Sequence, residues 1–321
     1  MIDLSEPAAG RRALGSIDRQ RLKLLGPINS GFEEHKTHVP LRDGYEVPAW
    51  VIQPSETDTL SDSPLILLVH GGGYTMGNED HMMPYARGLA KLFNAVVISS
   101  TYRLAPEHKF PTGPLDTWDV LKWAASNATA LRAKPERGFI IGGISAGGNI
   151  TCVVTQRAKD EGLSPPLTGQ WVCVPGLRPP ENLRSLWFAR EQNANAPLMN
   201  TAESERLNKN YEPDYSSPLY SPFNSKNRHV GVPRTYVQSC GADPLRDDSL
   251  ILNRALKEAG VETRLDLYPG LLHASWAYFP QLKSSKQFLI DIAQGFAWLL
   301  RQEIDEGRAA EAMNMPVVEL P

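Results

Sequence analysis

The stretch GFIIGGISAGGNITC, residues 138–152, sets a short apolar run ahead of a serine hemmed in by glycines, and a segment of helical period follows. Phe139–Ile141 has the composition of a buried strand, and Ile150, Val153, Val154 and Ala158 recur on one face of a helix. Between them Gly143-Ile144-Ser145-Ala146-Gly147 fits G-x-S-x-G, a tight strand-to-helix turn that holds a serine in strained backbone geometry. Strand and helix approach so closely at such a turn that side chains two positions either side of the serine would collide, which accounts for Gly143 and Gly147. The turn also places the backbone N–H of Ala146 at a helix start, where developing negative charge is favoured. Taken alone the pentapeptide is weak, since on the order of a tenth of a match arises by chance in a chain this long. A glycine-rich turn with the serine as a mere helix cap is the plain alternative.

A second signal is LLVHGGGY, residues 67–74, where His70, Gly71, Gly72, Gly73 and Tyr74 follow the apolar run Leu65–Val69. Three consecutive glycines offer no side-chain chemistry, but they turn backbone N–H groups toward a ligand. An oxyanion hole built from Gly72, Gly73 and Ala146 is therefore expected. A phosphate-binding loop lacks its lysine and spacing here, and the dinucleotide pattern is absent too. His70 is read as structural, holding the loop.

A serine needs a histidine base, and that histidine needs an acceptor that fixes its tautomer. In folds that carry this elbow the chain order is Ser, acid, His. After Ser145 only His229 and His273 remain. His273 follows an apolar run ending at Leu267 by the short loop in YPGLLHASW, whereas His229 closes a Pro- and Asn-rich region and reads as solvated surface. For the acid, Asp243 comes right after Gly241 and Ala242 in VQSCGADPLRDD, and Asp247 and Asp248 fall in the first turn of the next helix, where the helix dipole explains them.

The rest of the chain supplies the scaffold. Strand-like runs at Val47–Ile52, Leu65–Val69, Ala95–Ser99, Phe139–Ile141, Trp171–Val174, Thr235–Gln238 and Arg264–Leu267 alternate with helical patterns at His81–Phe93, Pro114–Ser126, Ala146–Glu161, Asp247–Ala259 and Ser285–Glu303. This alternation implies an α/β fold with a mostly parallel sheet flanked by helices, in which residues just after a strand line the ligand crevice. Residues 175–231 break the alternation, hold one helical candidate near Ala202–Tyr211, and read as an insertion. With residues 1–33 they are expected to form a cap over the core segments 34–174 and 232–306, and residues 307–321 read as a loose tail.

Composition narrows the function classes. The 321 residues are 41% hydrophobic with a formal net charge of −3, which is no electrostatic footprint for nucleic acid or an anionic membrane. Cys152, Cys173 and Cys240, odd in number and widely spaced, suit neither a disulfide framework nor a zinc site. No signal peptide or membrane-length apolar run stands out, so a cytoplasmic protein acting on a small molecule is expected.

Taken together, HGGGY at 70–74, YRLAPEHKFP at 102–111, GISAGGN at 143–149, DPLRDD at 243–248 and His273 occur in an order that resembles the hormone-sensitive-lipase-like (family IV) carboxylesterases of the α/β hydrolase superfamily. The resemblance spans about Leu65–Trp276. It implies an eight-stranded sheet with a helical cap, a triad of Ser145, Asp243 and His273, and cofactor-free hydrolysis of small to medium soluble carboxylic esters through an acyl-enzyme, an acetyl ester or lactone of a secondary metabolite being one case. Tyr74, Met76 and Trp276 are candidates for the pocket wall, with core packing as the alternative for each. Glu107 resembles a buried family glutamate that supports the loops, though an ion pair with Arg103 explains both residues equally. Ile144 stands where the family usually has Asp or Thr, and His273-Ala274-Ser275 replaces its usual His-Gly-Phe. The same triad would serve an amidase such as a formamidase, or an acyltransferase or lactone-forming catalyst, and a non-catalytic receptor uses the same scaffold without the histidine. Members are often homodimers, and no interface is readable in the sequence.

Overall fold

A computed structural model describes residues 6–28, 31–55, 62–180, 183 and 188–319. Parts of both expected cap segments, residues 1–5, 29–30, 181–182 and 184–187, therefore lie outside the described residues, as do the last two of the expected tail.

Along the chain the elements are α1 (Pro7–Leu25), β1 (Phe32–Pro40), β2 (Glu46–Pro54), β3 (Leu65–Val69), α2 (Met83–Phe93), β4 (Val96–Ser100), α3 (Thr112–Ser126), β5 (Phe139–Ile144), α4 (Ala146–Asp160) and β6 (Gly169–Cys173). Then come the short α5 (Ala189–Gln192), α6 (Thr201–Tyr211), β7 (Arg234–Cys240), α7 (Arg246–Glu258), β8 (Thr263–Tyr268), the short α8 (Ser275–Tyr278), α9 (Lys283–Leu300) and α10 (Glu306–Ala312). The strands form one eight-stranded sheet in the order β1-β2-β4-β3-β5-β6-β7-β8. Only the pairings β1–β2 and β2–β4 are antiparallel; from β4 to β8 the sheet is parallel. The fold is the expected α/β hydrolase architecture.

Why these runs make central strands is visible in how their side chains divide. Ile66 and Leu68 of β3 and Ile140 and Ile144 of β5 pack on one face of the sheet with Leu89 and Phe93 of α2 and Phe288 and Phe296 of α9. Leu65, Leu67 and Val69, with Phe139 and Ile141, pack on the other face with Leu121 and Ala124 of α3 and Ile150 and Val153 of α4. An apolar residue at every position suits a strand covered on both faces, and period two assigns each one to a side.

The order β4-β3-β5 positions the site. After β3 the chain leaves to one side for β4, and after β5 it leaves to the other for β6. The loops leaving the carboxyl ends of β3 and β5 therefore part, and a crevice opens where the strand order reverses.

Two features depart from the sequence reading. The strand β1, FEEHKTHVP, was not anticipated, because it is an edge strand whose only buried residue is Val39 and whose charges carry no apolar alternation. The expected loose tail instead contains α10, capped by the Asp305 side chain accepting from Arg308 N–H, with Ala309, Met313 and Met315 buried in the α2–α9 core. The contact relies on small residues: a Cβ on Gly88 of α2 would stand 2.6 Å from the Ala312 carbonyl oxygen. Such a surface has little periodicity to read.

The two segments expected to form a cap meet each other on the core. Leu14 of α1 and Leu207 of α6 share a small apolar cluster with Met76, and Met199 packs against it.

Candidate active site

The turn after β5 confirms the steric reading of its glycines. A Cβ on Gly143 would lie 2.3 Å from the Gly147 carbonyl oxygen, and one on Gly147 would lie 2.3 Å from that of Val69. Both obstacles are backbone, which cannot swing aside. Ser145 takes φ 57° and ψ −116°, a strained conformation for a residue with a Cβ, and its N–H donates to Cys173 O at 2.8 Å. The helix α4 starts at the next residue. Asn149, a turn later, donates its amide to Gly176 O (3.1 Å) and Tyr220 O (2.7 Å), joining the elbow helix to both ends of the insertion.

Three loops converge on Ser145 Oγ. His273, in the loop after β8, places Nε2 2.9 Å from Ser145 Oγ and Nδ1 2.6 Å from Asp243 Oδ2. A carboxylate can only accept, so Nδ1 carries the proton and Nε2 is free to accept the serine hydroxyl. Asp243 lies in the loop after β7, fully buried, and its other oxygen accepts Leu245 N–H at 2.8 Å. Asn193, just beyond α5, donates to Asp243 O at 3.0 Å, so the insertion also braces the acid loop.

A cavity of about 50 Å³ opens at Ser145, lined by Gly73, Tyr74, Ala146, Leu177, Leu207 and Leu245 among others. It continues into a groove of about 580 Å³, shared through Leu177, Arg190, Ser204, Asn208 and Tyr220 and walled by Arg178, Lys209 and Tyr215. Of the expected oxyanion residues, Gly73 and Ala146 face the cavity. Gly72, at φ 105°, does not line it; its carbonyl closes the loop by accepting from Thr75 and Met76 N–H. His70 is structural as read: it is fully buried, with Nδ1 2.7 Å from Gly71 O, Nε2 2.9 Å from Thr101 Oγ1, and its ring stacked on Tyr102. Burial pushes its pKa down to about 4.

Several expectations are corrected. Trp276 does not line the cavity: it is fully buried, stacked on Phe288 at 3.9 Å, and donates its indole N–H to Tyr85 Oη. Met76 sits one layer back, against Leu14 and Leu207. His229 is buried rather than solvated, edge-on to Phe223, because the end of the insertion folds onto α4 and its N–H donates to Gln156 Oε1. Glu107 is exposed and pairs with Arg11 of α1, while Arg103 pairs with Asp116 and Asp43. Asp247 and Asp248 do open α7, but both are buried. Asp247 accepts Ala189 N–H, and Asp248 accepts Leu177 N–H and the Arg190 guanidinium, so they pin the insertion to the core. Burial raises the Asp248 pKa to about 7 despite that arginine.

Sequence reasoning missed Leu207, Leu245, Arg190 and Tyr220 in the lining. Only Leu207 had a signal, its i, i+4 spacing with Tyr211 inside a helical segment. The three cysteines are free and buried. Among the described residues, no cluster of side chains is placed to hold a metal ion, and no helix is long and apolar enough to cross a membrane.

Comparison with known proteins agrees with this geometry. A family model described as alpha/beta hydrolase fold matches residues 66–277. An AB hydrolase superfamily protein of Schizosaccharomyces pombe is 38% identical over 266 residues, covering 82% of this chain and 78% of the relative. The versiconal hemiacetal acetate esterase of Dothistroma septosporum is 35% identical over 245 residues, 74% of each chain. The crystal structure of vibralactone cyclase superposes with a TM-score of 0.85 at 33% identity, covering 92% of this chain and 89% of that one. The order of the motifs, the strand order and the family match together place the chain in the hormone-sensitive-lipase-like (family IV) carboxylesterases of the α/β hydrolase superfamily.

Proposed function

We propose that the chain is a serine esterase acting on small soluble carboxylic esters through an acyl-enzyme, with residues 1–33 and 175–231 as its cap. The observation that carries this reading is the relay Asp243–His273–Ser145, with contacts of 2.6 and 2.9 Å. Ser145 Oγ attacks the ester carbonyl while His273 Nε2 takes its proton. Asp243 stabilises the imidazolium that results. The N–H groups of Gly73 and Ala146, with Gly72 beside them, hold the oxyanion, each donor contributing roughly 3 kcal/mol in the transition state. His273 then protonates the leaving alcohol, and water repeats the steps to release the acid.

Cavity size suggests which ester. About 50 Å³ accommodates a few water molecules or one short acyl group, whereas the adjoining groove accommodates a larger alcohol beside Tyr215 and Tyr220. An acetyl ester of a bulky, partly aromatic alcohol fits that division, in keeping with the acetate ester for which the Dothistroma relative is named. The likeness to vibralactone cyclase favours a second reading, in which an internal nucleophile replaces water at the acyl-enzyme and closes a ring.

A series of nitrophenyl esters tests the proposal. Turnover is expected to peak at acetate, and Ser145→Ala is expected to abolish it without lowering the melting temperature. A maximum at long acyl chains contradicts the substrate reading, and an active Ser145→Ala contradicts the mechanism. Product analysis with a competing alcohol separates hydrolysis from acyl transfer.

A further inference from the structure

We infer that α6 holds the oxyanion loop in its donor geometry and that Tyr211 is a positioning residue for it; this rests on the reading of Gly73 as an oxyanion donor. The loop is under strain. Gly72, Gly73 and Tyr74 are three consecutive residues with positive φ, at 105°, 59° and 63°. Glycine accepts this region freely, but a tyrosine does not, so contacts outside the loop must keep Tyr74 there.

The tightest ring contact comes from α6, the Tyr220 ring standing farther off at 6.4 Å from Tyr74. Leu207 and Tyr211 stand one turn apart on α6 and are the two buried residues of that helix. Tyr211 lies flat on the Tyr74 ring, centroids 3.8 Å apart and planes within 4°. Leu207 sits against Gly73 so closely that a Cβ there would come within 2.5 Å of its Cδ1. The whole buried stripe of α6 thus falls on two successive residues of the loop. The exit of the loop is held separately: Ala105 N–H donates to Tyr74 O, and the Arg11 guanidinium donates to Thr75 O and Ala105 O. None of these three bonds touches Gly73, whose N–H shares a peptide with the Gly72 carbonyl; that carbonyl accepts from Thr75 and Met76 N–H across a turn that Tyr74 closes at positive φ.

Tyr211 works through its ring. Its hydroxyl is buried and has no hydrogen-bond partner among the described residues, so the phenol oxygen adds nothing to the clamp. With the ring removed, Tyr74 is free to relax toward negative φ, which draws the Thr75 and Met76 N–H groups off Gly72 O and frees the Gly72–Gly73 peptide, and with it the Gly73 N–H, to turn away from the oxyanion.

The test compares Tyr211→Phe, Tyr211→Leu and Tyr211→Ala with the full-length chain on nitrophenyl acetate. Loss of the ring is expected to lower kcat roughly ten- to hundredfold with KM within about twofold, less than outright removal of a donor. Tyr211→Phe is expected to keep the parent kcat. Binding of an aryl trifluoromethyl ketone, which forms a tetrahedral oxyanion on the serine, is expected to weaken by the same factor as kcat. Tyr211→Leu keeps the site filled and gives the same loss even where Tyr211→Ala folds poorly. A parent-like kcat in Tyr211→Leu, an equal loss in Tyr211→Phe, or a loss confined to KM overturns the inference. Parent activity abolished by Ser145→Ala shows that such a result counts against the clamp alone, whereas an inactive parent chain counts against the esterase reading.

Discussion

Three acidic residues within six positions, Asp243, Asp247 and Asp248, take different partners. Asp243 faces His273, while Asp247 and Asp248 accept backbone N–H groups of the insertion. Asp243→Asn is therefore expected to lower turnover by about four orders of magnitude, because the amide stabilises the wrong imidazole tautomer. Asp247→Asn is expected to leave turnover near the parent value and to lower the melting temperature. The opposite pattern, read from kcat and thermal melts, means that the acid is Asp247. At this scale the reacting trio was readable from the sequence because each member follows a strand end and chemistry restricts the residue type. The pocket wall was not: Leu207 and Arg190 arrive from distant segments whose docking no local pattern encodes, and Leu245, two residues after Asp243, turns into the cavity without any sequence mark of it. Trp276 and Met76 misled for the same reason: proximity in sequence to a catalytic residue says nothing of which side of the loop a large side chain packs on.

The element most constrained by the chemistry is the β5–α4 turn. Its glycines abut backbone on both sides, so Gly143→Ala is expected to cost about 1–3 kcal/mol or more, measured as a shift of the urea midpoint at constant slope. Gly260→Ala serves as the contrast, because nothing lies within 4 Å of its added Cβ and only its φ of 78° is strained, a cost of roughly 1–2 kcal/mol. Equal midpoints for Gly143→Ala and the parent contradict the steric account. Strands covered on both faces and amphipathic helices were legible because burial imposes periods of two and 3.6. The elements β1 and α10 were not, the first being a charged edge and the second docking through alanine, methionine and a glycine on the opposite helix.

For the whole molecule, burial of titratable groups predicts how stability depends on pH. His70 and His229 are buried neutral, each with its pKa pushed down to about 4 against about 6.5 unfolded. Their folded pKa values are depressed, so the stability linked to them is complete above about pH 6.5 and is lost as pH falls toward 4. Asp248 acts in the opposite sense: held at about 7 against about 3.9 unfolded, it keeps a proton that the unfolded chain releases, and stability declines as pH rises from about 4 to 7. Near pH 5.5 these three groups together take up roughly one proton on unfolding, two gained at histidine and one lost at the carboxyl. His229→Asn, whose side chain tolerates the local φ of 62°, is expected to bring that uptake close to zero. Unfolding calorimetry in buffers of different ionisation enthalpy reads the chain's total uptake, which is expected to be about one proton smaller in His229→Asn, and an uptake unchanged by the substitution contradicts the assignment.

The central claim is that Ser145 is the nucleophile because His273 and Asp243 activate it beside backbone donors. Inactivation by an aryl phosphonate ester, followed by peptide mass spectrometry, tests this directly. One phosphonyl group per chain is expected on Ser145, formed at least about a thousandfold more slowly in His273→Ala. An adduct on another residue accompanying loss of turnover, or turnover that survives full modification of Ser145, contradicts the account.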